Sequence, residues 1–184
     1  MSHLDYKLER INSISFEAFL DLIYANKTYI EKGFAGTVKR CETQQGAKTL
    51  FDEWVSEESE ERCFSFFIKN TQTDNLVGLV NIKNIDNSVK KCEIGYFISK
   101  QTAGKGIVSK FTSEVVTYCF EVLQMNKVFL RIAPDNIGSQ KVAIKNGFQK
   151  EGVLREEYKG FQDKFEDVMY FGLLKNDYLK SKNV

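Results

Sequence analysis

One short turn, Ala103-Gly104-Lys105-Gly106, holds the clearest chemical signal in the sequence. It follows a strand-like apolar run, Glu93 to Ser99, and empties directly into a helical pattern at Ile107 and Val108. The opening turn of a helix leaves backbone N–H groups without partners, and such groups cradle phosphate oxygens. Glycine at 104 and 106 would let a pyrophosphate approach the main chain without meeting a Cβ. The same glycines would also serve a plain strand-to-helix turn, and the motif alone does not choose between the two. Other chemistry is sparse. The one histidine is His3, and Cys41, Cys63, Cys92 and Cys119 are widely spaced, with no C-x-x-C pair. That pattern argues against a zinc site or a Cys–His nucleophile, so no metal is expected and the cysteines read as reduced, buried hydrophobes. Acid–base work then falls to carboxylates, hydroxyls or water.

These residues must be positioned by a fold, and 184 residues suffice for one domain, 1–184, with a full core. A net charge of +1 gives no electrostatic case for nucleic acid or a membrane surface as partner. No run approaches the roughly 18 apolar residues of a membrane span, and MSHLDYKLER carries no apolar signal segment, so a cytoplasmic location is expected.

The periodicity predicts an α/β order. Tyr6, Leu8 and Ile11 suggest a first strand; Ser15 caps a helix running to about Ile30; residues 33–46 read as a loop; a second helix spans roughly Ala47 to Glu58. Strands follow over Cys63–Lys69, Leu76–Asn84 and up to Ser99. The long helix carries Val108, Phe111, Val115, Tyr118, Cys119 and Val122 on one face. Val128–Ile132 is a fifth strand, and this strand–helix–strand unit implies a right-handed parallel crossover. A short helix from Ile137 to Asn146 ends at Gly147-Phe148, and Glu151–Tyr158 with Phe165–Leu174 form a last hairpin.

In this order the chain resembles the GNAT acyltransferases, and within them the ribosomal-protein alanine N-acetyltransferases of RimJ/RimL type. The resemblance rests on Glu93-Ile-Gly-Tyr-Phe, Gly104-Lys-Gly-Ile, Tyr118-x-Phe120, Asn126-Lys-Val, Asn136-x-x-Ser139, Lys145-x-Gly147-Phe148, Glu151-Gly-Val-Leu-Arg155 and Asp167-Val-Met-Tyr. It is strongest from about 92 to 174, and its strength lies in the order and spacing of motifs that are individually weak. It implies a mixed, mostly antiparallel sheet flanked by helices and splayed at strands 4 and 5. It implies acetyl-CoA as co-substrate, its pantetheine arm paired with the backbone of Tyr96, Phe97 and Ile98. The pyrophosphate would lie on N–H groups of Ala103, Gly104, Lys105, Gly106, Ile107 and Val108. The family's Q/R-x-x-G-x-G/A loop fits in two registers here; GKGI places Ala103 at the Gln/Arg position, and a main-chain cradle serves in either.

The same resemblance implies an amine acceptor, a peptide or protein N-terminal α-amine or a small-molecule amine. Ser139 matches the family serine near the sulfur and would protonate the leaving thiolate, or else bond backbone at a helix start. Asn136 would hold pantetheine amides or cap that helix, and Lys145 would reach the adenosine end or simply favour the helix C-terminus. Glu93 and Glu157 are the candidate bases, each with an ion-paired or solvated carboxylate as its alternative. Phe34, Trp54, Tyr158 and Phe161 would line an acceptor groove or pack in the core. Homodimerisation through the last hairpin is one option. Two readings of another class stay open: a non-catalytic acyl-CoA-binding regulator, and a phosphate-binding interaction domain.

Overall fold

The computed structural model describes residues 5–160 and 163–182. Seven strands form one sheet in the order β1-β2-β3-β4-β5-β7-β6, where β1 is Tyr6–Arg10, β2 Phe64–Asn70, β3 Leu76–Asp86, β4 Lys91–Ile98, β5 Lys127–Ile132, β6 Gln149–Lys159 and β7 Phe165–Leu174. Every neighbouring pair is antiparallel except β4–β5. That parallel pair is joined through α4, Ile107–Glu121, as the crossover rule requires.

Strand alternation divides the core between the two faces. Phe66, Ile68, Val80, Ile82, Ile94 and Ile98 point to the side covered by α4, where they meet Phe111, Val115 and Cys119. Phe67, Leu79 and Phe97 point to the opposite side, covered by α1 (Phe16–Ile30), α2 (Ala35–Arg40) and α3 (Gln44–Ser59). Ser15 caps α1 by accepting a hydrogen bond from Ala18 N–H at 3.1 Å, as its sequence position suggests. Helix α5, Ile137–Lys145, closes as expected: Gly147 has φ +83°, its N–H reaches Ile144 O at 3.0 Å, and Phe148 N–H reaches Ala143 O at 3.1 Å.

Two expectations need correction. The segment read as a loop over 33–46 contains the whole of α2 and the start of α3, whose N-cap is Thr43. Helix α2 has six residues and one buried side chain, Val38, too few to leave a periodic trace. A further helix, α6 (Lys175–Lys182), follows the last hairpin. It is almost wholly polar, with Tyr178 its one buried residue: the ring stacks on Phe120 at 4.8 Å, and the hydroxyl donates to Glu121 Oε1 at 2.7 Å, a carboxylate that Lys182 also pairs, while Lys175 Nζ donates to Gln124 Oε1 at 2.9 Å.

Strands β4 and β5 pair only at Lys91↔Lys127, Cys92↔Val128 and Glu93↔Phe129. Beyond Glu93 they diverge, leaving the β5-facing edge of Ile94–Ile98 unpaired while Leu130–Ile132 pair with β7. The sheet therefore opens into a V in its middle.

Candidate active site

A cleft of about 680 Å³ fills this V. One wall consists of Ile94–Ile98 of β4, Ala103, Gly104, Gly106 and Val108; the other carries Leu130–Ala133, Asp135, Asn136, Gly138 and Ser139. At one end stand Tyr29–Ile30 and Lys32–Phe34 from the α1–α2 side, facing Tyr158 and Glu166–Val168 from the last hairpin.

The glycine turn presents main chain to the cleft. Gly104 and Gly106 have φ of +80° and +76°, the left-handed region that glycine enters without strain. Gly106 is the N-cap of α4 and offers no capping side chain, and the first intrahelical bond is Lys110 N–H to Gly106 O at 3.1 Å. The N–H groups of Ile107, Val108 and Ser109 precede it and so lack helical partners. Ala103 differs from its expected role: its N–H is bonded to Ser99 O at 2.9 Å. Its contribution is a cleft-lining side chain, and the available N–H groups begin at Gly104. Lys105 points its ammonium back to Gln101 O at 3.1 Å and lies outside the cleft lining, while Ile107 is buried in the core.

Across the opening, Tyr96 donates its hydroxyl hydrogen bond to Ser139 O at 2.8 Å. Burial pushes the Tyr96 phenol well above its ordinary value, so it stays protonated and cannot serve as a phenolate base. Asn136 caps α5, its side-chain oxygen accepting from Ser139 N–H at 3.0 Å. Both backbone groups of Ser139 are thus anchored, and its side chain also lies within hydrogen-bonding reach of the Tyr96 phenol. Lys145 stands in the last turn of α5, exposed and outside the cleft lining.

Glu93 sits at the apex of the V, only 3% exposed. Its Oε2 accepts from Asn84 Nδ2 at 2.7 Å and from Arg131 Nε at 3.1 Å, and Lys83 Nζ lies 3.4 Å from Oε1. Lys83 is its direct cross-strand partner, and Arg131 reaches it from β5. Both of its oxygens are already engaged, which is the ion-paired alternative left open by the sequence.

Glu157 lies on the exposed side of β6 and does not line the cleft; its neighbour Tyr158 does. The register slips between Leu154 and Tyr158, with Glu156 at φ +50° and its N–H held by Asp167 Oδ1 at 3.0 Å. That bulge resets the strand's alternation, which sequence spacing cannot register. Burial also raises the Tyr158 phenol, with Arg131 opposing it. Phe34 lines the cleft and packs edge-on against Phe97 at 5.0 Å. Trp54 packs on Phe19 at 5.7 Å in the core, away from the cleft. His3 and Phe161 lie outside the described residues. Among the described residues no His, Cys, Asp and Glu group of three or more could hold a metal ion.

The sequence reading missed Lys83, Asn84 and Arg131 around Glu93, and the Lys32–Asp135 ion pair at 3.0 Å across the mouth. One signal was present: Arg131 is a charge inside the otherwise apolar strand VFLRI.

Residues 8–149 match the acetyltransferase (GNAT) domain family. The chain belongs to the GNAT acetyltransferases. The match ends where β6 begins, so the last hairpin lies beyond it. The N-acetyltransferase p20 of Bacillus licheniformis is 33% identical over 67% of this chain and 68% of its own. Spermidine N(1)-acetyltransferase of Vibrio cholerae is 27% identical over 71% of this chain and 72% of its own. In fold the chain matches the ribosomal-protein-S5-alanine acetyltransferase of Vibrio fischeri, with a TM-score of 0.81, 18% identity and 95% of each chain covered. Among the described residues no helix is long and apolar enough to cross a membrane.

Proposed function

We propose that this acetyltransferase moves the acetyl group of acetyl-CoA to the α-amine of a peptide or protein N-terminus. The donor would enter the V from the α4 side. Its pantetheine arm would pair with the unpaired edge of Tyr96–Ile98, and its pyrophosphate would rest on the N–H groups from Gly104 onward. The amine nitrogen attacks the thioester carbonyl, a C–N bond forms, the C–S bond breaks, and the amine loses one proton. The departing thiolate takes a proton from the Ser139 hydroxyl, directly or through water, and the proton lost by the amine passes through water to restore that hydroxyl. Ser139 suits that role because its backbone is held at both ends at the wall of the cleft, beside the Tyr96 phenol. Glu93 orients Arg131 and Lys83 rather than acting as a free base.

The observation that favours a peptide over a polyamine is the charge pairing of the acceptor end. Glu93 is neutralised by Lys83 and Arg131, and Asp135 by Lys32. A polycation seeks unpaired carboxylates, whereas cations lining a groove can donate to the carbonyls of an extended peptide. Glu166 favours the second reading, a small polyamine acceptor, because it lines the cleft without an ion pair among the described residues. Thiol release from acetyl-CoA, measured against short peptides with free α-amines and against spermidine, decides between them. Preference for spermidine would overturn the peptide reading. Acetyl-CoA binding with no turnover on any amine would favour the regulatory alternative.

A further inference from the structure

Asn81 lies in β3, opposite Gly95 of β4, and is 5% exposed. Its side-chain oxygen is buried and accepts no hydrogen bond. Buried polar atoms in native proteins nearly always have partners, and each orphan calls for an explanation. Its position supplies one. A Cβ built on Gly95 would stand 2.6 Å from this oxygen, so the amide occupies the space a side chain at 95 would fill. Gly95 itself lines the cleft, two residues past the last pairing of β4 with β5. The Phe34 ring borders the same space, its Cζ 3.7 Å from the Gly95 Cβ position.

On this face of β4 the nearest acidic acceptor is Glu93, and its oxygens already serve Asn84, Arg131 and Lys83. The Asn81 oxygen is the one left unserved. It is also neutral, which suits the reaction. A carboxylate beside an amine favours the ammonium form, which has no lone pair to attack with. An amide carbonyl can orient an N–H bond while leaving the nitrogen a nucleophile.

We propose that Asn81 Oδ1 accepts a hydrogen bond from the amine being acetylated, making Asn81 the residue that positions the nucleophile at the apex of the V. The inference rests on the acetyl-transfer reading of this cleft. The amine reaches the oxygen past Gly95, with the Phe34 ring shifting to admit it.

Three variants test it, with spermidine and short α-amine peptides as probes. Asn81→Ala is expected to lower kcat/KM for the accepted amine about 10–100-fold and leave the acetyl-CoA Kd unchanged. Asn81→Asp places a carboxylate there, so the rising limb of the pH–kcat/KM profile should move to higher pH by about one unit. A purely structural residue would not move that profile. Asn81→Leu removes the orphan acceptor with little change of shape, so Tm should hold or rise, by up to about 2–4 °C. Wild-type kcat/KM in Asn81→Ala, or a lower Tm in Asn81→Leu, would overturn the assignment, the latter by showing that the oxygen has a partner in the fold. The melting test stands without turnover. Failure of the wild type to acetylate any probe therefore strikes the proposed function, while the Asn81→Leu result still judges this inference.

Discussion

The two ends of the cleft are built from different materials. The end proposed for the donor is main chain: an unpaired strand edge at Tyr96–Ile98 and a turn whose two glycines adopt positive φ. The end proposed for the acceptor is side chain: Glu93, Lys83, Arg131, Lys32, Asp135, Phe34 and Tyr158, drawn from five separate stretches of sequence. Backbone recognition tolerates side-chain change so long as φ is met, whereas a side-chain wall changes specificity with each substitution. The matched family domain covers the whole donor end but stops before the last hairpin, which supplies Tyr158 and Glu166 to the acceptor end.

If the comparison holds, damage at one end should leave the other working. The largest effect is expected at the apex. Glu93→Ala strands Lys83 and Arg131, and should cost about 3 kcal/mol in a urea titration, near the lower bound for broken buried pairs because both cations are part-exposed. Next comes Ser139→Ala, which keeps both backbone anchors; kcat should fall about 100-fold with the acetyl-CoA Kd unchanged. Full turnover at neutral pH would end the assignment of Ser139 as the acid. Gly106→Val forces a β-branched residue into φ +76° and should weaken acetyl-CoA binding by calorimetry about tenfold, with amine preference intact.

A smaller effect concerns the frame that both ends share. Burial pushes the Cys41 and Cys63 thiols from 9.0 up to about 11. Between those values the unfolded chain has released protons that the folded one retains, so stability is whole below pH 9 and declines as pH rises toward 11. Tm should fall by a few degrees across that window in a calorimetric series, and a flat response would show that neither thiol is protected. The smallest change is expected from Lys32→Ala. Its pair with Asp135 is exposed on both sides, so stability should shift by less than about 1 kcal/mol, while KM for a peptide acceptor moves and that for acetyl-CoA does not.

How much was legible follows the same division. The donor end could be read because each part is local: alternation marks β4, a 3.6-residue stripe marks α4, and the glycines lie between them. Helix α6 was not legible because it buries one side chain, Tyr178, and its other contacts are polar, so it leaves no apolar period. Glu157, proposed from the family resemblance, turns out exposed and off the cleft, because a bulge in β6 that no local spacing records sets which side chains face inward.

The amino-acid sequence alone set the order of the strands and of α1, α3, α4 and α5, the caps at Ser15 and Gly147, and the glycine turn at Gly104 and Gly106. These depend on residues within a few positions of one another, where propensity and sterics act directly. Only the tertiary structure decided that Glu93 is neutralised by Lys83 and Arg131, that β4 and β5 part after Glu93, and that Asn81 leaves an oxygen over Gly95. Those facts depend on strand register and on contacts between distant positions, which come into being only when the sheet is assembled.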